Sequence, residues 1–118
     1  MQSHSNTVLS PWQPLLRNHE AQGVLQSLRE IAELLQNPDE AQLGTLDSDF
    51  QGRSFSLGSG SAGVAVFLAY LDKSGLFPGA RQAAFEQMNR AIEAVASQFS
   101  FPGLYGGFTG VGWAVEHV

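Results

Sequence analysis

A chain of 118 residues, 43% of them hydrophobic and only 14% charged, carries enough apolar surface for one small globular domain and too much for a disordered segment. Eleven acidic against six basic residues leave a formal charge of -5. No face can then gather the Lys and Arg side chains that a phosphate backbone requires, so nucleic acid is not an expected partner. The absence of cysteine excludes disulfides and thiolate metal sites within these residues.

The N-terminal stretch MQSHSNTVLSPWQPLL, of which residues 1–13 read as a tail, lacks the basic start and continuous apolar run of a signal peptide. From Pro14 to Gln36, Val24, Leu28, Ile31 and Leu35 recur at helical spacing, with Leu25 and Ala32 beside them. Arg29, Glu30 and Glu33 fall on the other side, and Asn37-Pro38 ends the pattern. The prediction is an amphipathic helix with one buried stripe.

A polar connection, NPDEAQLGTLDSDFQGRSFS, follows without periodicity. Within it Asp47-Ser48-Asp49 and Gly52 resemble the start of a calcium loop. The twelfth position, which needs a bidentate Glu, holds Gly58, so the stretch reads as a solvated turn.

The next block, LGSGSAGVAVFLAYL, is apolar all round after its glycines. Periodicity alone does not separate a buried helix from a strand here. A helix is favoured because Ala, Leu and Gly dominate and the run continues into Asp72 and Lys73. Val64 to Leu71, the longest apolar run, is too short to span a bilayer, which takes about 20 residues. No transmembrane segment is expected, and the cytoplasm is the default location.

SGLFPG punctuates the chain before a third block, Ala80 to Phe99. Ala84, Met88, Ala91, Val95 and Phe99 recur at helical spacing, with Arg81, Gln82, Glu86, Arg90 and Glu93 mostly off that stripe. This predicts a one-sided surface helix. SFPG ends it, and LYGGFTGVGWAVEHV forms the fourth block, with Val111 to Val115 expected in a helix.

The fourth block repeats the second. Leu57 matches Leu104, Gly60 matches Gly107, Gly63 matches Gly110 and Val64 matches Val111, at a constant offset of 104 - 57 = 47. A period of this size predicts stacked supersecondary units, each an outer amphipathic helix, a loop and a Gly-opened inner helix. The last helix reads as cut within the element at Val118.

Gly58, Gly60 and Gly63 also have the letter spacing of a dinucleotide-binding loop. That reading needs a preceding strand, for which SFSL is the only stretch, and an acidic residue about 20 positions on. Asp72 comes too early, no Gly-Lys-Ser/Thr of a P-loop follows, and the second degenerate copy favours packing. The structural Gly-rich turns are therefore Gly58, Gly60, Gly63, Gly107 and Gly110, where a missing Cβ permits a tight turn and close backbone approach.

Ser61 in SGSAG falls short of a nucleophile elbow, because the first glycine and the triad partners are missing; it reads as a helix-start serine. His4 and His19 are expected in solvent, and His117 alone supplies no metal site. Phe67, Tyr70 and Trp113 are expected in the core. Tyr105, with Gly106 and Gly107, is the substrate-cavity candidate, since its ring sits on a Gly-flanked turn at a helix start.

SLGSGSAGVAVFLAYL, followed one repeat later by GLYGGFTGVGWAVEHV, resembles the N-terminal part of lanthionine synthetase C-like proteins. The likeness runs from about Leu15 to Val118, within a domain set at 14–118. It implies an all-α fold, with helical hairpins forming part of an α/α toroid. It also implies a peptide cyclase that adds cysteine thiols of a precursor peptide to dehydrated Ser or Thr, with a dehydratase as possible partner. In that family a zinc held by two cysteines and a histidine activates the thiol. No catalytic or metal residue carries over to any position here, so this chain is expected to be scaffold and the zinc ligands to lie further along. The competing readings are a six-hairpin glycosidase and a helical-repeat peptide-binding module. The first requires paired carboxylates, whereas Glu116 is the only acid in LYGGFTGVGWAVEHV and SLGSGSAGVAVFLAYL has none.

Overall fold

The computed structural model describes residues 10–36 and 55–118. It contains four helices and, among the described residues, no strand: α1 His19–Leu35, α2 Ser61–Lys73, α3 Ala80–Ser97 and α4 Phe108–His117. The expected helices over Val64 to Leu71 and Val111 to Val115 lie inside α2 and α4. The possible calcium loop at Asp47 and the tail histidine His4 fall outside the described residues.

α2 is the hub. Its all-apolar sequence is used on more than one side: Val64, Leu68, Ala69 and Leu71 form one cluster with Ala80, Ala83 and Ala84 of α3 and Ala32 of α1. Ala62 and Ala65 form a second with Phe55, Met88 and Ala91, and with Val111 and Ala114 of α4. A strand would show only two faces, and the run of small residues lets α3 and α4 both approach closely. Leu68 is fully buried, and such a side chain contributes about 1.5–3 kcal/mol through removal from water.

The link from α2 to α3 is built from backbone. Ser74 N–H donates to the Tyr70 carbonyl at 2.9 Å, and Gly75 N–H to that of Asp72 at 3.1 Å. Gly75 at φ 75° and Gly79 at φ 98° occupy the left-handed region, which glycine adopts without the steric cost of a Cβ. Gly79 also precedes α3 as its N-cap. This is the punctuation legible in SGLFPG.

α3 follows its predicted stripe: Ala84, Met88 and Ala91 are buried and Val95 is half-buried, whereas Phe99 lies beyond the helix and is exposed. Arg81, Gln82, Glu86 and Glu93 face solvent. Gln87 interrupts the apolar face. It is buried, and its Nε2 has no hydrogen-bond partner among the described residues.

Three expectations are corrected. The α1 stripe exists but is not buried as a stripe: only Ala32 is fully covered, while Val24, Ile31 and Leu34 are exposed. α1 meets α2 through its C-terminal part, where Ala32 and Leu35 join the first cluster. Tyr70 (54% exposed) and Trp113 (43%) are not core residues. Both sit on sides of α2 and α4 that no other described element covers, whereas Phe67 is half-buried, packed against the first cluster from its edge.

Candidate functional site

The two Gly-rich turns lie side by side at the starts of α2 and α4. In each, the residue before the helix is a glycine in extended conformation: Gly60 at φ -140°, ψ -160° and Gly107 at φ -124°, ψ -171°. In each, that glycine donates its N–H to the carbonyl four residues earlier, Gly60 to Ser56 at 3.0 Å and Gly107 to Gly103 at 3.1 Å. The two turns thus share local backbone bonding at matched positions. They also touch, for Gly58 N–H donates to the Tyr105 carbonyl at 2.8 Å.

Gly63, Gly107 and Gly110 are required by contact rather than by backbone angle. A Cβ on Gly63 would collide with the Leu57 carbonyl oxygen, and one on Gly110 with the Leu104 carbonyl oxygen, the same residue six positions back in each turn. A Cβ on Gly107 would strike the Phe101 carbonyl and the Gly103 backbone, and one on Gly58 would stand 3.1 Å from the Tyr105 carbonyl oxygen. The crowding therefore comes chiefly from each turn folding under its own helix start. Gly58 and Gly110 also meet the other turn, Gly58 at the Tyr105 carbonyl oxygen and Gly110 at Leu57 Cβ, 2.9 Å away. Leu57 was the residue missed by sequence reasoning. Its signal was the Leu57–Leu104 match, which places a leucine six before each crowded glycine.

These bonds dispose of the phosphate cradle. A dinucleotide loop must aim free backbone N–H groups at the ligand. Here the amides of Gly58, Gly60, Ala62 and Gly63 donate to the carbonyls of Tyr105, Ser56, Phe55 and Ser56 respectively. The site has no strand in front of it among the described residues. Ser61 is the first residue of α2, as expected of a helix-start serine.

The first turn borders an open groove of about 350 Å³ between α1 and α2, lined by Ile31, Leu35, Leu57, Val64 and Phe67 with the backbone of residues 58–60 and Gly63. Its walls are almost wholly apolar; Ser59 is the polar side chain at its rim. The Ser59 hydroxyl is 3.1 Å from that of buried Ser56, and Ser59 N–H donates to Ser56 Oγ at 3.2 Å. Tyr105 and Gly106 are exposed and Gly107 is buried, but none of the three lines this groove. This groove is beside the first turn.

A comparison with protein-family models, curated proteins and solved structures finds no match. Assignment therefore rests on the residues themselves.

At the other end of α4, the His117 ring stacks on Trp113 at 3.7 Å between centroids. His117 Nδ1 is 2.7 Å from the Trp113 carbonyl oxygen, which can only accept, so Nδ1 carries the proton. Lys73 Nζ donates to the His117 carbonyl at 3.0 Å, tying the ends of α2 and α4. Among the described residues no three His, Cys, Asp or Glu side chains gather where they could hold a metal ion. No helix among them is long and apolar enough to cross a membrane.

Proposed function

We infer that this chain is the N-terminal scaffold of a cytoplasmic lanthionine synthetase C-like peptide cyclase. The observation that carries the reading is the pair of Gly-rich turns, 47 positions apart, that open α2 and α4 with the same backbone bonds and the same crowded glycine. In this reading α2 and α4 are inner helices of an α/α toroid built from helical hairpins, and α1 and α3 belong to its outer ring. The apolar, Gly-bordered groove suits an extended peptide better than a charged metabolite. The substrate is a precursor peptide whose Ser and Thr have been dehydrated by a partner enzyme.

The residues of this chain do not fit the zinc that the reading requires. There is no cysteine, and the described residues offer no cluster of ligands. No chemical step is therefore assigned to any residue here. The contribution of this chain is to position helices, with the metal ligands further along the same polypeptide.

The test is to extend the reading frame and express the whole product. A Cys, then a Cys-His pair downstream, stoichiometric zinc, and loss of alkylatable thiols from a dehydrated precursor peptide without change of mass are the expected results. Addition of a thiol across a dehydroamino acid moves one hydrogen and loses none, hence the constant mass. A full-length protein without those ligands, or one that leaves every thiol free, overturns the reading. A peptide that still binds the groove in that case supports the second reading, a non-enzymatic peptide-binding module.

A further inference from the structure

Gly112 is a helical glycine that the chain itself does not explain. Unlike Gly110 two residues earlier, it sits on an exposed side of α4, and a Cβ there would meet nothing within 4 Å. A mid-helix glycine weakens a helix relative to alanine, so open space at this position leaves its small size without an internal reason.

The 47-residue register supplies one. Thr109, Gly112 and Glu116 are the counterparts of Ala62, Ala65 and Ala69, which are buried on α2. On α2, Ala62 and Ala65 receive Val111 and Ala114 of α4. On α4 the same positions face solvent, flanked by exposed Val115. Conversely, Gly110, Val111 and Ala114, which meet the first turn and α2, are counterparts of Gly63, Val64 and Phe67, and those three line the open groove. The molecule thus exposes one half of its internal helix pairing on α4 and the other half in the groove.

The backbone shows the same asymmetry. Gly58 N–H donates to the Tyr105 carbonyl; the counterparts of that donor and acceptor are Tyr105 N–H and the Gly58 carbonyl. Among the described residues neither of these takes part in a hydrogen bond.

We propose that the chain associates head to tail with a second copy of itself. The Thr109, Gly112 and Val115 face of α4 seats in the groove between α1 and α2 of the next copy, and Tyr105 N–H donates to the Gly58 carbonyl of that copy. The occupant is a second copy because the complementary surface is already present on this chain, in the pairing used inside it. Glu116 lies at the edge of the face, and each copy carries a formal charge of -5, so association strengthens as salt screens the repulsion. The contact is heterologous, and growth is open-ended unless the rotation closes a ring. This inference stands on the geometry of the two turns; in the cyclase reading the groove and the α4 face are taken by the peptide and by the next hairpin of the longer polypeptide, so the association proposed here is that of the 118-residue chain.

Sedimentation velocity on the 118-residue chain, across micromolar to near-millimolar loading, tests it. Wild type is expected to sediment faster as concentration rises. Gly112→Lys spoils only the α4 face, at a site with room for the side chain in the free chain and with a gain in helix propensity. Ile31→Glu spoils only the groove, at an exposed position of α1. Each variant alone is expected to lose affinity roughly tenfold or more, because docking buries an unpaired charge, with unchanged helical circular dichroism. Mixed in equal amounts, they are expected to form a species of two chains and nothing larger, since one keeps an intact groove and the other an intact face. A wild type that stays monomeric throughout overturns the proposal. So does a folded variant that associates like wild type, or a mixture that remains monomeric.

Discussion

Replacing glycine by alanine at four helical or helix-start positions should give effects of opposite sign, although the chemical change is identical. At Gly63 the added methyl would collide with the Leu57 carbonyl oxygen, with the Leu57 carbonyl carbon at 3.3 Å. At Gly110 it would collide with the Leu104 carbonyl oxygen while standing 2.9 Å from Leu57 Cβ. The obstacle in each case is backbone in a turn fixed by its own hydrogen bonds, so relief requires the turn to move away from the helix. Overpacking of this kind costs about 1–3 kcal/mol, which outweighs the gain of about 1 kcal/mol that alanine brings to a helix interior. At Gly112 and Gly23 a Cβ meets nothing within 4 Å, and only the propensity gain remains. With a urea slope of about 1.5 kcal/mol/M for a chain of this size, Gly63→Ala and Gly110→Ala should each lower the unfolding midpoint by roughly 1 M. Gly112→Ala and Gly23→Ala should each raise it by about 0.7 M. The assay is urea titration followed by far-UV circular dichroism, in dilute solution so that association adds nothing to stability. Midpoints at Gly63 and Gly110 that are unchanged or raised would refute the argument that these glycines exist to admit a carbonyl.

Leu68→Ala should destabilise the chain by about 2–5 kcal/mol, since it empties a fully buried site between α2 and α3; a loss under 1 kcal/mol in the same titration would show that α2 is not the hub. Gln87→Met, of similar shape, should stabilise by about 1 kcal/mol because it removes a buried amide donor that has no partner, and a lowered midpoint would mean that Nε2 is bonded in solution. Elemental analysis of the purified 118-residue chain should find no stoichiometric zinc, and tight one-to-one binding would overturn the placement of the metal ligands further along the polypeptide.

The sequence by itself determined the helices and the two matched turns. Helical spacing in the α1 and α3 segments and the glycines of SGLFPG are local signals, carried by residues within a turn or two of one another, and the 47-residue offset between Leu57 and Leu104 is a repeat legible without any contact between its two copies. Local signals specify conformation. They do not say which neighbour covers a face. The apolar stripe of α1 is plain in the sequence, yet Val24 and Ile31 are exposed, because only the end of α1 near Ala32 and Leu35 reaches α2. Tyr70 and Trp113 look like core residues beside Leu71 and Ala114, but one step of about 100° around a helix separates a buried side from an open one. The glycines were legible as packing residues, whereas their partners were not: the collision with Leu57 and Leu104 carbonyls depends on how each turn folds beneath its helix. The bond from Gly58 to Tyr105 depends on two turns 47 positions apart being brought side by side. Only the packing of α4 against α2 and α3 does that, by burying Val111 and Ala114 together with Ala62, Ala65 and Met88.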